Sequence, residues 1–236
     1  MKNRTKTGEM IRRMVIIAMF CAMAYVVMLL IHIKVGFLTL DVKDAVITLC
    51  GLYFGPLAAL FISVVVPLLE LSVSTTGYYG LIMNILGSVS FSVTASLIYK
   101  YKKTLWGAIA GLLSAAALMV AVMLLANLFI TPYYMGVTVD AVRGMIPTLL
   151  FPFNLLKAII NVGVVLLLYK SMSRALRKAG VLPRRTTASE DTTFVPTTKK
   201  RLITVLITAI AILLIAVSMV LIFTVFKGKF DFGISK

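Results

Sequence analysis

Three polar side chains interrupt one of the most apolar runs of the chain. Asn154, Lys157 and Asn161 all fall within LLFPFNLLKAIINVGVVLLLYK. Residues three and four apart lie on the same face of a helix, so these side chains form one polar stripe. Amides donate and accept hydrogen bonds, whereas an ammonium group only donates. The stripe therefore suits either an uncharged ligand rich in hydroxyl groups or bonding to a neighbouring helix, and the residues alone leave both interpretations open.

Other candidate binding residues lie in two more apolar runs and in two loops. Asn84 in YYGLIMNILG and Asn127 in LLANLFITP are each, taken alone, typical of a packing hydrogen bond. The loop GFLTLD, residues 36–41, alternates in polarity without a helical pattern and suits either an extended lid or a simple connector. TTGYYG, residues 75–80, carries adjacent tyrosines that suit a membrane interface or stacking on a ligand.

The chain lacks the residue sets that catalysis requires. His32 is the only histidine, acidic residues number eight, and no GxSxG, HExxH or Walker A segment occurs. Cys21 and Cys50 lie in apolar segments without metal-type spacing. We therefore expect neither an enzyme nor a metal site, and we expect no cofactor.

The composition indicates an integral membrane protein. Hydrophobic residues make up 61%, charged residues 14%, and the mean hydropathy is +1.04. The net charge of +16 does not indicate nucleic-acid binding, because the lysines and arginines cluster beside apolar spans.

Apolar segments predict seven membrane helices, two of them short. The break at Phe54-Gly55-Pro56 separates the two short ones. The predicted spans are 10–31, 43–54, 56–72, 80–99, 105–130, 146–170 and 201–226.

The distribution of basic residues predicts the orientation. Most of the 24 lysines and arginines precede helix one or lie between helices four and five or six and seven. The positive-inside rule assigns these segments to the cytoplasm, which places the N-terminus inside and the C-terminus outside the cell membrane. The polar segment TTASEDTTFVPTT lies in a predicted linker, so we divide the chain into a six-helix domain (1–178), a cytoplasmic linker (179–199) and a lone helix with an outside tail (200–236).

Several short motifs together resemble a known family. They are FLTLD at 37–41, FGP at 54–56, Gly80 with Asn84, Asn127 upstream of TPYYMG, and PFNLLK at 152–157. Over residues 10–178 the chain resembles the substrate-binding S components of energy-coupling factor (ECF) vitamin transporters, in particular the riboflavin-specific members. PFNLLK with the upstream asparagine is the most specific part of this likeness.

The resemblance implies a fold and a ligand. It implies an all-α membrane protein in which a six-helix S-component bundle encloses a vitamin site near the outer face, with one extra C-terminal helix here. The implied ligand is riboflavin, carried as a substrate, with the loop between helices one and two closing over it. The residues implied to contact it are Leu38, Thr39, Leu40, Tyr79, Gly80, Asn84, Asn127, Asn154 and Lys157.

The resemblance also implies partners. Ala18 and Ala22 have a small-xxx-small spacing that by itself suggests internal helix packing. The family instead uses this surface to dock on the coupling transmembrane subunit, which works with two ABC ATPases. The chain departs from the family at Glu70, where a neutral amide is expected. The alternatives are an S component for folate or thiamine, or a non-transporting scaffold whose polar stripe only holds helices together.

Overall fold

The computed structural model describes residues 6–74, 76–181, 197–226 and 229–230, most of which are helical. The helices are α1 (Lys6–Leu30), α2 (Lys43–Phe54), α3 (Pro56–Glu70), α4 (Gly77–Ser88), α5 (Thr94–Tyr101), α6 (Leu105–Met135), α7 (Val139–Met145), α8 (Phe151–Lys178) and α9 (Thr197–Thr224). The strands are β1 (Ile33–Val35), β2 (Leu38–Leu40) and β3 (Lys229–Phe230).

The expected all-helical membrane architecture is confirmed. Five helical segments are long and apolar enough to cross a membrane: Thr7–Leu30, Gly77–Tyr101, Leu105–Met135, Val139–Lys178 and Val205–Thr224. The shorter apolar helix α3 and the 12-residue α2 are the two short helices that the sequence predicts. Most of the predicted linker 179–199 lies outside the described residues, so the division into domains stays a prediction.

A glycine and a proline produce the break between the short helices. Gly55 adopts a φ of +99°, a backbone conformation that residues with a Cβ atom rarely adopt. Pro56 is the first residue of α3, where its missing amide hydrogen costs nothing. The Arg13 guanidinium donates a hydrogen bond to the carbonyl of Phe54. This turn packs α2 and α3 together beside α1.

π-helical turns make two of the spans continuous. Val89–Val93 joins α4 to α5, and Ile146–Leu150 joins α7 to α8. The span formed by α7 and α8 therefore begins at Val139, earlier than the predicted start at 146. Thr138 caps this beginning, since its side chain accepts a hydrogen bond from the Ala141 amide at 3.3 Å. Lys157 consequently lies deep within a long helical segment.

The loop after α1 forms an antiparallel hairpin, which we call the lid. β1 pairs with β2 so that Lys34 lies opposite Thr39, and Gly36 at the turn has a φ of +59°. β3 pairs with the other edge of β1, which gives the strand order β2-β1-β3. The extended conformation of this loop agrees with one of the two predicted alternatives. The strand contributed by the C-terminal tail was not predicted.

Two apolar clusters hold the bundle together. One lies among α1, α2, α3, α5, α6 and α8. The other joins the lid to α7, the start of α8 and the end of α9, with Ile33, Leu40 and Ile222 all fully buried. One face of the lid thus packs on apolar side chains, and the other face, with Lys34 and Thr39, lines a cavity.

Candidate ligand-binding site

A cavity lies beneath the lid and is walled by side chains from α3, α4, α6 and α8. All but one of the residues proposed from sequence to contact a ligand line it: Leu38, Thr39, Tyr79, Gly80, Asn84, Asn127, Asn154 and Lys157. The structure thus brings together side chains from positions more than a hundred residues apart in the chain.

Leu40 is the exception. It is fully buried in the apolar cluster under the lid and does not line the cavity. Side chains alternate between the two faces of a strand, so Leu38 and Leu40 share the face that packs on this cluster, and of the two only Leu38, beside the turn, also reaches the cavity. Thr39 and its partner Lys34 face the cavity, whereas Leu40 points the opposite way with Ile33.

The cavity also contains residues that the sequence analysis did not propose as ligand contacts. Phe37 and Phe153 add aromatic surface, and Thr131 and Tyr134 extend the wall formed by α6. Thr131 follows Asn127 by four positions, which places both on one helix face. This spacing could have identified Thr131 as a wall residue from the sequence. The ring of Tyr134 lies 6.2 Å from that of Tyr79, centroid to centroid.

Lys157 has an intramolecular anion as its partner. Its Nζ atom lies 2.9 Å from Oδ2 of Asp41, in the loop that joins the lid to α2. The same ammonium group donates to the Thr39 carbonyl at 3.3 Å. Lys157 therefore ties α8 to the lid. Asp41 was not proposed from sequence, because nothing local marks it as a partner for a lysine so distant in the chain.

A second buried ion pair adjoins the first. Lys43 is completely buried, pairs with the Glu70 carboxylate, and lies 3.6 Å from Oδ2 of Asp41. Burial by itself would raise the pKa of Asp41, but Lys157 and Lys43 beside it lower that pKa to about 2. Asp41 is therefore ionised at neutral pH. Glu70, Lys43, Asp41 and Lys157 form a chain of alternating charge from α3 to α8, which we call the charge chain.

Asn161, the third member of the polar stripe, holds the backbone at the start of α2. Its Oδ1 atom accepts a hydrogen bond from the Ala45 amide at 2.8 Å, and its Nδ2 atom donates to the Asp41 carbonyl at 3.2 Å. Val42 at the start of α2 offers no side-chain cap, so Asn161 satisfies an amide of the first turn from another helix. This residue does not line the cavity.

Two of the three asparagines at the cavity wall are held by their own helices. Asn127 donates to the Met123 carbonyl at 2.7 Å and accepts from the Thr131 hydroxyl at 2.9 Å. Asn154 donates to the Leu150 carbonyl at 2.8 Å. Both side chains are buried, and these bonds fix their orientation at the cavity wall.

The proposed docking residues are on the outer surface of the bundle. Ala18 and Ala22 are both exposed on α1, so neither is used for packing within the described part of the chain. Small exposed side chains one turn apart allow another helix to approach closely.

Comparisons with known proteins agree with this architecture. The family described as "ECF transporter, substrate-specific component" matches residues 12–169. The chain is 30% identical over 176 residues to "Riboflavin transporter RibU" of Staphylococcus aureus (strain TCH60), covering 71% of this chain and 93% of the relative.

A solved structure described as "Structure and mechanism of the S component of a bacterial ECF transporter" superposes with a TM-score of 0.61 and 32% sequence identity. The match covers 70% of this chain and 98% of that one. The family consists of transporter components rather than enzymes. A multi-pass membrane bundle, a polar cavity under a lid and these matches lead to one conclusion: the chain belongs to the substrate-specific components of ECF transporters.

Proposed function

We propose that the protein captures riboflavin at the outer face of the cell membrane and delivers it to the cytoplasm with an ECF coupling subunit and two ABC ATPases. Riboflavin is a substrate in this proposal, and the energy comes from ATP hydrolysed by the partners. The chain itself supplies the binding site and the docking surface.

The observation that carries the proposal is the convergence of Asn127, Asn154 and Lys157 on one cavity beneath the lid. The amides offer both donors and acceptors, and the ammonium group offers donors, which together suit a ribityl chain and the edge of a flavin ring. Asp41 already balances the charge of Lys157, so the ligand does not need to be an anion.

The apolar part of the wall supports a flat aromatic ligand. Phe37, Phe153 and Tyr79 line the cavity together with Met83 and Met123. Aromatic rings pack face to edge or offset against such a ligand, and methionine adapts to irregular shapes. Cavities that combine apolar walls with a few fixed polar groups are typical of small-molecule sites.

Three further observations support the transport role. The positive-inside rule favours an orientation in which the lid and the cavity face the outside, where a vitamin would be captured. The relative named as a riboflavin transporter aligns with 71% of this chain. The exposure of Ala18 and Ala22 leaves the surface that the family resemblance assigns to the coupling subunit available.

Fluorescence titration of the detergent-purified, flavin-free protein with riboflavin tests the proposal. We expect saturable quenching of flavin emission that folate and thiamine do not reverse. Asn127→Leu is expected to weaken binding by about tenfold, since a partner of the ligand is lost. Leu125→Ala is the matched control, because Leu125 lies on the same helix with 59% of its surface exposed and faces away from the cavity.

Other results would favour the alternatives. Displacement of riboflavin by folate or thiamine would assign the cavity to a different vitamin. A folded sample that binds none of the three would indicate a scaffold subunit in which the polar stripe only holds helices together.

A further inference from the structure

Glu70 is a cavity-lining carboxylate to which the riboflavin proposal gives no role. It is the last residue of α3 and keeps only 5% of its surface exposed. Lys43 pairs with its Oε2 atom. A buried acidic side chain at the wall of a binding cavity is costly to maintain unless it is paired, so its charge has to be considered together with that of its neighbours.

The charge chain is neutral as a whole. Glu70 and Asp41 contribute two negative charges, and Lys43 and Lys157 contribute two positive charges. Asp44, the next buried carboxyl group, accepts a hydrogen bond from Ser88 and does not line the cavity. Lys34 brings a half-buried cation to the cavity from the lid. An uncharged ligand leaves this balance intact, whereas an anion placed near Glu70 disturbs it.

Glu70 also differs from the other polar groups of the wall in hydrogen bonding. Lys157 can only donate, and the asparagine amides have one acceptor oxygen each. An ionised carboxylate only accepts and offers several lone pairs on two oxygens, of which Lys43 occupies one position. Glu70 is therefore suited to accept a hydrogen bond from a hydroxyl group of the ligand.

We propose that Glu70 is a specificity-determining residue that selects the uncharged flavin over its phosphorylated form. In this assignment, which rests on the proposed function, the Glu70 carboxylate accepts a hydrogen bond from the terminal ribityl hydroxyl of riboflavin and repels the phosphate that esterifies this hydroxyl in FMN. A phosphate monoester carries between one and two negative charges at neutral pH, and a carboxylate as buried as Glu70 repels it more strongly than a carboxylate in water would.

The test compares the dissociation constants of riboflavin and FMN by fluorescence titration. The wild-type protein is expected to prefer riboflavin, and Glu70→Gln is expected to reduce that preference by about tenfold while weakening riboflavin binding only modestly. Glu70→Asp keeps the charge and is expected to keep most of the preference. Asp140→Asn makes the same change of charge at an exposed position and is expected to leave the preference unchanged.

A second comparison needs no variant and therefore does not depend on folding of Glu70→Gln. A neutral ester of the terminal ribityl hydroxyl has added bulk without charge, and wild type is expected to bind it more tightly than FMN. Equal rejection of the ester and FMN would show that size decides, and equal binding of FMN and riboflavin would show no selection; either result overturns the proposal. An unchanged preference in a folded Glu70→Gln variant would also overturn it. Failure of wild type to bind either flavin would instead refute the proposed function.

Discussion

The ammonium group of Lys157 on α8 lies 2.9 Å from the carboxylate of Asp41, at the point where the lid joins α2. The pair is buried, and the same ammonium group also contacts the lid backbone at Thr39. Lys157 thus both holds the lid in its position over the cavity and lines the cavity itself. Experiments on Lys157 have to separate these duties.

Lys157→Met is expected to reduce both stability and riboflavin affinity. Removing one member of a buried ion pair typically costs about 3–5 kcal/mol, and Lys43 near Asp41 should hold the loss toward the lower value. Riboflavin affinity should fall by roughly 1–3 kcal/mol, the usual cost of losing a buried hydrogen-bond partner. Thermal unfolding in detergent and flavin titration measure the two effects.

The double variant Lys157→Met with Asp41→Asn is the matched control. It leaves no unpaired carboxylate at position 41, so most of the stability should return while the affinity stays low. Wild-type affinity in the double variant would show that Lys157 does not bind the ligand.

Asn161→Ala is expected to destabilise the protein without lowering the affinity of the folded protein for riboflavin. The Asp41 carbonyl loses the bond from Asn161, and the Ala45 amide keeps only its longer bond to the Val42 carbonyl, which should cost about 1–3 kcal/mol of unfolding free energy. Asn84→Ala is the matched amide deletion at the cavity wall and should show the reverse pattern, with lower affinity and a nearly unchanged melting temperature. If both variants behaved alike, the assignment of separate roles would be wrong.

Gly163→Val is expected to push α9 away from α8. A Cβ atom at Gly163 would lie 2.7 Å from Cγ1 of Ile215 and 3.3 Å from the Ala211 carbonyl oxygen, closer than packed side chains tolerate. We expect a loss of about 1–3 kcal/mol in unfolding free energy, measured by chemical denaturation. Gly144→Val is the control, since a Cβ atom there meets nothing within 4 Å. An equal loss in both variants would contradict a specific α8–α9 contact.

Removal of the tail after Phe226 is expected to accelerate the release of riboflavin. The truncation deletes β3, whose backbone pairs with Ile33 and Lys34 of the lid. The release rate, measured by stopped-flow fluorescence, should rise by several fold, since the lid loses main-chain hydrogen bonds that hold β1. Truncation after Phe230 retains β3 and should release riboflavin at the wild-type rate. Identical rates in both truncations would show that β3 does not restrain the lid.

Ala18→Trp is expected to abolish transport while leaving riboflavin binding intact. The bulky ring would prevent close approach of the coupling subunit at the exposed face of α1. Leu113→Trp, at a position on α6 that is 60% exposed, controls for a tryptophan on the bundle surface. Uptake in cells that express the full complex and titration of the isolated subunit provide the two measurements. Normal uptake by Ala18→Trp would place the docking surface elsewhere.

The sequence predicted the helices well, because apolar length and backbone chemistry are local properties. The break at Gly55 and Pro56 and the depth of Lys157 follow from residue types alone. The π-helical turns and the start of the α7–α8 span at Val139 could not be predicted in this way, since they depend on how the spans pack.

The partners of the polar residues were less accessible to prediction. PFNLLK identified Lys157 as unusual, but its partner Asp41 is 116 positions away and is brought near only by the fold. The role of Asn161 as a cap for α2 depends on the same long-range packing. Leu40 shows the opposite limitation: the motif suggested three wall residues, but packing of the lid against α7, α8 and α9 buries Leu40 completely.

The separation of these charges along the chain has a consequence for the biogenesis of the protein. Lys43 and Glu70 are 27 positions apart, so this pair can form as soon as the hairpin of α2 and α3 enters the membrane. Asp41 must wait for Lys157, a delay on the order of ten seconds at typical rates of synthesis. Until α8 arrives, the half-built bundle has to keep the Asp41 carboxylate close to water or to Lys43. The arrival of α8 therefore both neutralises the buried charge and completes the wall of the site, before α9 and β3 are added.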